Sequence, residues 1–239
     1  TFLKNSLTKV SFKENRLEFS DELKLNYQYL ILCTGSVPNA FSIEGVDENC
    51  YFFNDLKDLN KLDYFLKNFQ KESLNKKLFI VGGGPSGVEL ACKINDINKE
   101  KFDIYLIEKS NEILGKNKIF NREEAENALG KRNISVLLNS TVNKVSETEI
   151  SISNESRIIT YEKDIVIWTA GVKPNLCYLE TEDVPKKNGR ILVNNQFQIE
   201  NNKNIFAIGD ISIIEGMDDL PITAQVAMQQ GNHLAKNIE

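Results

Sequence analysis

Apolar and polar positions alternate in two separate stretches of the chain, and each stretch leads into an apolar run. The first stretch comprises residues 7–12, 15–19 and 23–27, and the second contains the segments TVNKV, EISIS and RIITY. Alternation over such short runs, bounded by polar breaks, is typical of half-buried strands. Each stretch therefore predicts a short β-meander.

The apolar runs that follow the two meanders nearly repeat each other. YLILCTGSVPN occupies residues 29–39, and DIVIWTAGVKPN occupies residues 164–175. Each run predicts a buried strand that ends in a turn, at Thr34 and Gly35 in the first copy and at Ala170 and Gly171 in the second. We interpret meander and strand as one supersecondary unit that occurs twice, rather than as the short repeat of a solenoid.

A segment typical of dinucleotide binding lies between the two copies. LFIVGGGPSGVELACKI, residues 78–94, predicts a strand, a glycine turn and a helix in direct succession, which is the context that the G-x-G-x-x-G pattern requires. The glycines permit the tight turn, the approach of a pyrophosphate and close helix packing. Amides at the helix N-terminus then face the phosphates, and proline is tolerated there. The candidate phosphate-binding residues are Gly82, Gly83, Gly84, Pro85, Ser86 and Gly87.

Glu108 is the candidate for recognition of the adenosine ribose. It ends the second predicted strand, FDIYLIEKS, at a distance from Gly82 that is close to the usual spacing of about 20 residues. An acid there favours NADH because the 2′-phosphate of NADPH would meet a like charge, and Lys109 softens this preference. The alternative interpretation is a glycine turn that only permits packing, and it leaves Glu108 unexplained.

Two later segments also predict elements that present polar groups. NIFAIGD, residues 204–210, predicts a strand followed by Gly209 and Asp210, and a turn-capping aspartate is the alternative. ITAQVAMQQGNHLAKNI, residues 222–238, predicts an amphipathic helix. Gln225 and Gln229 lie on one face of it, which a solvated polar stripe would also explain. The predicted apolar stripe consists of Ala227, Gly231, Leu234 and Ile238.

The composition limits the classes of function. The chain has 239 residues, 41% of them hydrophobic, with a net charge of −5 and interspersed signs, so it predicts a folded protein without a basic surface for nucleic acid. No apolar run reaches the roughly 18 residues that cross a bilayer.

The single histidine, His233, is predicted to be exposed or half-exposed on the last helix, and no metal site is expected. Cys33, Cys50, Cys92 and Cys177 form no C-x-x-C pair, so reduced, intracellular thiols are expected.

The order of four motifs carries a family resemblance. IVGGGPSGVELA, DIVIWTAGVKPN, NIFAIGD and PITAQVAMQQG together resemble flavoproteins with two dinucleotide-binding domains, and the last motif resembles type II NADH:quinone oxidoreductases (NADH dehydrogenases) in particular. The resemblance covers essentially the whole chain. It implies an α/β fold of two Rossmann-like FAD/NAD(P)-binding domains with β-meanders, the flavin domain being incomplete at its N-terminus.

The resemblance implies that an FAD-binding domain spans residues 1–43 and 176–239 and that an NAD(P)H-binding domain, residues 44–175, is inserted into it. The flavin domain's own glycine turn is then expected before Thr1, and a membrane-contacting segment after Glu239. We therefore expect the 239 residues to bind NADH but to hold FAD poorly.

The resemblance also implies roles for individual residues. Glu89 is implied to lie where the nicotinamide stacks on the flavin, although an acid in the first turn of a helix also gains from the helix dipole. Asp210 is implied to bind the ribityl chain. Gln225 is implied to hold a quinone carbonyl, beside Ala224 and Met228. The residues implied to lie near the flavin are Thr34, Gly35, Ala170, Gly171 and Gly209.

The implied activity is transfer of hydride from NAD(P)H to FAD, followed by transfer of two electrons to a membrane quinone without proton pumping. The enzyme is then expected to be cytoplasmic and peripheral on a membrane, with a homodimer as one option. The alternatives are a soluble reductase of a ferredoxin-like carrier and a redox sensor of low turnover. A disulfide reductase is disfavoured because no local cysteine pair is present.

Overall fold

The computed structural model of the chain describes residues 1–69, 76–98, 101–115, 117–155, 157–179 and 184–238. The chain forms two compact units. The split unit consists of Thr1–Val37 and Lys173–Glu239, and the inserted unit consists of Pro38–Val172. The domain boundaries expected from the sequence, 43/44 and 175/176, lie a few residues further along the chain. Which cofactor each unit binds stays a prediction.

Strands and helices alternate in the inserted unit, whereas the described part of the split unit consists mostly of strands. The first segment of the split unit contains β1 (Leu7–Ser11), β2 (Arg16–Phe19), β3 (Lys24–Asn26), β4 (Leu30–Leu32) and β5 (Ser36–Pro38), the last of which reaches the boundary. The inserted unit contains α1 (Val46–Asn49), β6 (Tyr51–Phe52), α2 (Leu56–Phe69), β7 (Lys76–Val81), α3 (Pro85–Ile97), β8 (Phe102–Ile107), α4 (Ile119–Gly130), β9 (Ser135–Leu137), β10 (Ser140–Val145), β11 (Glu149–Asn154), β12 (Arg157–Glu162) and β13 (Ile165–Trp168). After the second boundary strand β14 (Val172–Pro174), the split unit continues with β15 (Lys186–Lys187), β16 (Arg190–Val193), β17 (Ile205–Ala207), β18 (Ser212–Ile214) and α5 (Ala224–Asn237).

A parallel sheet forms the centre of the inserted unit. Its strand order is β6-β13-β7-β8-β9, and all four pairings are parallel. The residues of β13 are all buried, as are the last four of β7. Such continuous apolar runs are typical of strands that are covered on both faces. The register aligns Val81 with Trp168 and with Ile107, so three neighbouring strands end together.

The two faces of this sheet pack against different partners. Leu78 and Ile80 join a cluster with α3, whose buried Val88, Ala91 and Ile94 recur at helical spacing. Burying a side chain such as that of Ile94 contributes about 1.5–3 kcal/mol. Phe79 and Val81 point to the opposite face and pack against the meander β10-β11-β12, where the buried apolar residues are Val142, Val145, Ile150 and Ile152.

The split unit has smaller sheets around one core. They are the meander β1-β2-β3, the parallel pair β17-β4 and the sheet β15-β16-β18. Leu30, Leu32 and Ile205 belong to the buried core, and Leu234 of α5 packs with them. In the described residues, no helix is both long enough and apolar enough to cross a membrane.

The repeat predicted from the sequence is confirmed by these pairings. In each unit an antiparallel three-stranded meander precedes a strand that pairs in parallel with its neighbour: β4 with β17, and β13 with β7. The alternating pattern located the meander strands to within one residue or so. The sequence analysis did not predict β6, α2, α4 or the strands β15, β16 and β18.

Candidate dinucleotide sites

The glycine turn of the inserted unit follows β7 directly. Gly82 has a φ of 112°, a conformation that favours glycine. A Cβ at this position would lie 2.9 Å from Thr169 Oγ1 and 3.0 Å from Ala170 Cα. Any side chain would therefore displace the turn that follows β13. Backbone conformation and close approach both require glycine here.

The start of α3 combines close packing with open space. A Cβ at Gly87 would lie 1.9 Å from the carbonyl oxygen of Gly82, whereas a Cβ at Gly84 would meet no atom within 4 Å. The helix begins at Pro85 without a side-chain cap, so helix geometry leaves the amides of Ser86 and Gly87 without intrahelical acceptors. Free amides beside open space fit the phosphates of a dinucleotide.

Glu108 is bound to the glycine turn. Its Oε2 accepts a hydrogen bond from Gly83 N at 2.7 Å, and its Oε1 accepts one from Ser110 N at 2.8 Å. A Cβ at Gly83 would lie 2.8 Å from Glu108 Cβ, which explains why the middle residue of the turn is glycine. Each carboxylate oxygen accepts more than one hydrogen bond, so Glu108 can bind the turn and ribose hydroxyls together. Lys109 is exposed.

The T-A-G turn after β13 lies beside the glycine turn. Thr169 Oγ1 donates to the carbonyl oxygen of Val81 at 2.9 Å. Gly171 has a φ of 78°, and a Cβ there would lie 2.9 Å from Phe41 Cζ. The structure thus brings Ala170 to the glycine turn, at the carboxyl edge of the parallel sheet.

Two aromatic residues that the sequence analysis missed support this edge. Trp168 Nε1 donates to the carbonyl oxygen of Asn39 at 2.9 Å and to that of Ala170 at 3.2 Å. Phe41 covers Gly171 while remaining 54% exposed. No local pattern around Phe41 signals this role, because the contact joins residues far apart in the sequence.

Glu89 does not lie in the first turn of α3, so that expectation is wrong. The helix begins at Pro85, and its first turn contains no acidic residue. Glu89 is the fifth helical residue and is exposed. The favourable effect of the helix dipole falls off within the first turn. A gain from the dipole therefore does not account for this acid.

The split unit places Asp210 beside the turn after β4. β4 and β17 are paired in parallel, with Leu32 opposite Ala207, so both strands end at the same edge. Asp210 follows β17 in a 3₁₀ turn, Gly209–Ile211. Its Oδ2 accepts a hydrogen bond from Ser36 Oγ at 2.7 Å. The two predicted segments, Thr34–Gly35 and Gly209–Asp210, are therefore brought together within this unit.

Thr34 is held by residues from the second segment of the split unit. Its Oγ1 donates to the carbonyl oxygen of Asn175 at 2.8 Å and lies 2.6 Å from the hydroxyl of Tyr178. Burial raises the pKa of the Tyr178 phenol, and the hydrogen bond with Thr34 opposes that effect. These contacts fix the start of β5, where Ser36 reaches Asp210.

Gln230 is a site residue that the sequence analysis missed. It is buried, and its Oε1 accepts a hydrogen bond from Gly209 N at 2.7 Å. The helical period would have found it, because position 230 falls on the stripe formed by Ala227 and Leu234. An amide there ties α5 to the turn that carries Asp210.

The other candidates on α5 face solvent. Ala224, Gln225 and Met228 are all exposed, and Met228 is 68% exposed. Thr223 caps the helix, since its Oγ1 accepts a hydrogen bond from Val226 N at 3.3 Å. His233 is exposed, as predicted, and packs edge-on against Phe197.

A small cavity lies under the start of α5. Its volume is about 10 Å³, and its lining includes Asp210, Thr223 and Gln230. That is room for about one water molecule. A flavin or quinone ring does not fit into it. Among the described residues, no group of His, Cys, Asp and Glu side chains could hold a metal ion.

Comparison with known protein families identifies the family of this chain. The profile described as pyridine nucleotide-disulphide oxidoreductase matches residues 1–231. The chain belongs to this family. The resemblance to quinone-reducing relatives is confirmed by a demethylphylloquinone reductase, NdbB, from Synechocystis, which is 31% identical over 99% of this chain and 60% of its own length. An external alternative NAD(P)H-ubiquinone oxidoreductase, B3, from Arabidopsis thaliana is 29% identical over 81% of this chain and 38% of its own length.

Solved structures give the same picture of the fold. NDH2 from Plasmodium falciparum, determined in complex with NADH, superimposes with a TM-score of 0.79 at 27% identity, over 89% of this chain and 50% of that one. A ferredoxin reductase from Rhodopseudomonas palustris superimposes with a TM-score of 0.85 at 16% identity, over 98% of this chain and 57% of that one. The second similarity concerns the fold alone. The chain thus spans between about 40% and 60% of the length of these relatives.

Proposed function

We propose that the protein containing this chain transfers hydride from NAD(P)H to FAD and then two electrons to a membrane quinone, without pumping protons. The observation that carries the proposal is the glycine turn of the inserted unit, where Glu108 binds Gly83 N beside the open space at Gly84. The quinone part is supported by relatives that are named as reductases of ubiquinone and demethylphylloquinone.

The inserted unit would bind the nicotinamide dinucleotide. The amides of Ser86 and Gly87 bind the pyrophosphate, and the Glu108 carboxylate accepts hydrogen bonds from the adenosine ribose. The negative charge at Glu108 favours NADH over NADPH. Ala170 and Gly171 have no large side chains, so a planar ring can approach their backbone closely. Glu89 is proposed to orient the nicotinamide from the exposed side of α3.

The split unit would hold FAD. When bound, FAD accepts the hydride and releases electrons to the acceptor. Asp210 has one oxygen bound to Ser36 Oγ, and its carboxylate can accept a further hydrogen bond from the ribityl hydroxyls. Gln230 holds the preceding amide of Gly209, and Thr34 and Gly35 border the same edge. The contacts seen around Asp210 therefore fit a group that offers hydroxyl donors.

The acceptor side would lie at the start of α5. Gln225 is exposed there, and its amide can donate to a quinone carbonyl. Ala224 and Met228 add an apolar surface beside it. Peripheral membrane contact and a homodimer belong to this proposal as well.

Stopped-flow spectroscopy of the full-length protein tests the proposal. Anaerobic mixing with NADH should bleach the flavin absorbance, and a second mixing with a short-chain quinone should restore it within the turnover time. NADPH should act more slowly in the first step. Rapid reoxidation by a ferredoxin with no response to quinone would replace the proposal with a ferredoxin reductase. Slow reoxidation by both acceptors would indicate a sensor.

A further inference from the structure

The last strand of the meander in the inserted unit has an open edge. β12 pairs with β11 over its whole length without any irregularity in the register, and no described strand pairs with its other side. Its six residues, RIITYE, include neither the lysine nor the proline that often protects an exposed edge. A regular, unprotected edge of this kind is a template for a further strand.

The hydrogen bonds to β11 determine which main-chain groups of β12 point outward. The register continues by one residue beyond the strand, where Lys163 N donates to Thr148 O at 2.8 Å. Hydrogen-bonded pairs alternate with non-bonded pairs along an antiparallel ladder, so the odd-numbered residues of β12 are bonded to β11. The amides and carbonyls of Ile158, Thr160 and Glu162 therefore point away from β11. A further strand can bind only to these outward groups.

Two isoleucines at this edge are exposed. Ile158 is 70% exposed and Ile159 is 44% exposed. Ile159 lies opposite Ile152, whose side chain is buried between the meander and the parallel sheet, so both side chains are on the inward face. A slot of about 460 Å³ opens beside Ile159, and Leu137 and Tyr161 form part of its walls. The edge therefore offers apolar contacts as well as main-chain hydrogen bonds.

We propose that β12 binds the β12 strand of a second copy of this chain, in antiparallel orientation about a twofold axis at Ile159. The interface is isologous, because the same edge is used by both copies. Outward groups must meet outward groups, so Ile158 pairs with Thr160 of the second copy, and Thr160 pairs with Ile158 of the second copy. Each pair exchanges two hydrogen bonds. The two meanders then form one continuous sheet.

Charge favours this register over the neighbouring one. With the axis at Ile159, Arg157 lies opposite Tyr161 of the second copy, where a cation–π contact can form, and the two Ile159 side chains meet. With the axis at Thr160, Arg157 would lie opposite Lys163 of the second copy, and like charges directly opposite each other are destabilising. A second copy therefore supplies a regular strand with the cation and the aromatic ring in reciprocal positions. The inference does not depend on the proposed hydride transfer, because no residue proposed to bind the dinucleotide takes part.

Sedimentation velocity of the full-length protein over a range of concentrations tests the inference. Ile159→Lys places two like charges opposite each other at the axis, so it should raise the concentration needed for association at least about tenfold. Ile158→Lys is the matched variant and should have a much smaller effect, because it lies opposite Thr160. Ile159→Glu should also prevent association. An equimolar mixture of Ile159→Lys and Ile159→Glu should restore it, because opposite charges then meet.

Hydrogen exchange of the wild type, resolved for single amides by mass spectrometry, tests the same interface without a variant. The amides of Ile158 and Thr160 should exchange severalfold more slowly at high protein concentration than at low. Those of Ile159 and Tyr161, which are bonded to β11, should be slow at both. Circular dichroism checks that each variant is folded, and hydrogen exchange decides if one is not. Association that Ile159→Lys leaves unchanged, a mixture of the two charged variants that stays dissociated, or rapid exchange at Ile158 and Thr160 at every concentration would each overturn the inference.

Discussion

Gly84 and Gly87 belong to the same turn but have opposite surroundings. A Cβ at residue 87 would lie 1.9 Å from the backbone oxygen of Gly82, while one at residue 84 would meet nothing within 4 Å. We expect Gly87→Ala to lower the free energy of unfolding by about 3 kcal/mol, because α3 must move away from the turn. Denaturant unfolding followed by circular dichroism measures this loss.

Gly84→Ala is the matched variant. It should keep nearly the wild-type stability because its methyl group enters open space, but it should weaken NADH binding because that space is proposed to receive the pyrophosphate. Equal stability losses in the two variants would contradict the packing assigned to the turn. Normal NADH binding by Gly84→Ala would contradict its proposed role.

Glu108 is expected to set the preference between NADH and NADPH. Its carboxylate is fixed by Gly83 N and Ser110 N, so its charge stays at the place proposed for the ribose. Glu108→Gln should narrow the ratio of kcat/KM for NADH over NADPH by roughly tenfold, equivalent to about 1.4 kcal/mol. Steady-state kinetics with both nucleotides gives the ratio. Asp103→Asn changes an exposed acid in β8, the strand that Glu108 follows, and should leave the ratio unaltered. A wild-type preference for NADPH would refute the assignment.

At the scale of elements, α5 is tied to the Gly209 turn by one buried amide. Removing that amide leaves Gly209 N without its acceptor, since Gln230 Oε1 lies 2.7 Å away. An unsatisfied buried donor costs about 1–3 kcal/mol. Gln230→Ala should therefore lower the unfolding free energy by that amount, as measured by chemical denaturation. Gln229→Ala, one residue away and exposed, should have almost no effect; similar losses in both would mean that the turn is held by other contacts.

A further prediction concerns Gln225 at the exposed start of α5. Gln225→Ala should slow the reoxidation of the protein by quinone severalfold while leaving reduction by NADH nearly unchanged, because the amide is proposed to bind the quinone carbonyl only. Double-mixing stopped flow separates the two steps, with Gln229→Ala as the control. Loss of both steps to the same degree would show that Gln225 supports the flavin or the fold.

Local sequence patterns predicted the strands and the glycine turn, but they did not predict which distant residues are in contact. The meanders could be found because apolar and polar positions alternate in short runs, and the glycine turn could be found because strand, turn and helix are continuous in the sequence. The predicted apolar stripe omits Gln230, although the helical period places this residue between Ala227 and Leu234. The role of Phe41 depends on a contact with Gly171, which lies far away in the sequence, and local spacing does not contain such a contact. Glu89 falls just outside the first turn because α3 begins at Pro85 and Glu89 is its fifth residue.

At the scale of the whole molecule, the two units differ in how the chain builds them. The inserted unit is one continuous segment with its own parallel sheet and hydrophobic clusters, whereas the split unit needs two segments that lie far apart in the sequence. Continuous segments with their own core can fold alone. We expect residues 36–174, which keep β5 and β14 whole, to unfold in one cooperative thermal transition as followed by circular dichroism. A non-cooperative transition would show that the inserted unit depends on the split unit.

Calorimetric titration of NADH into residues 36–174 tests the central claim most directly, because every residue proposed to bind the pyrophosphate and ribose lies in this segment. The proposed site predicts one-to-one binding that is weaker for NADPH and is reduced by Gly84→Ala. A sample that is folded by circular dichroism but releases no heat with NADH, and shows no quenching of Trp168 fluorescence, would contradict the assignment of the inserted unit.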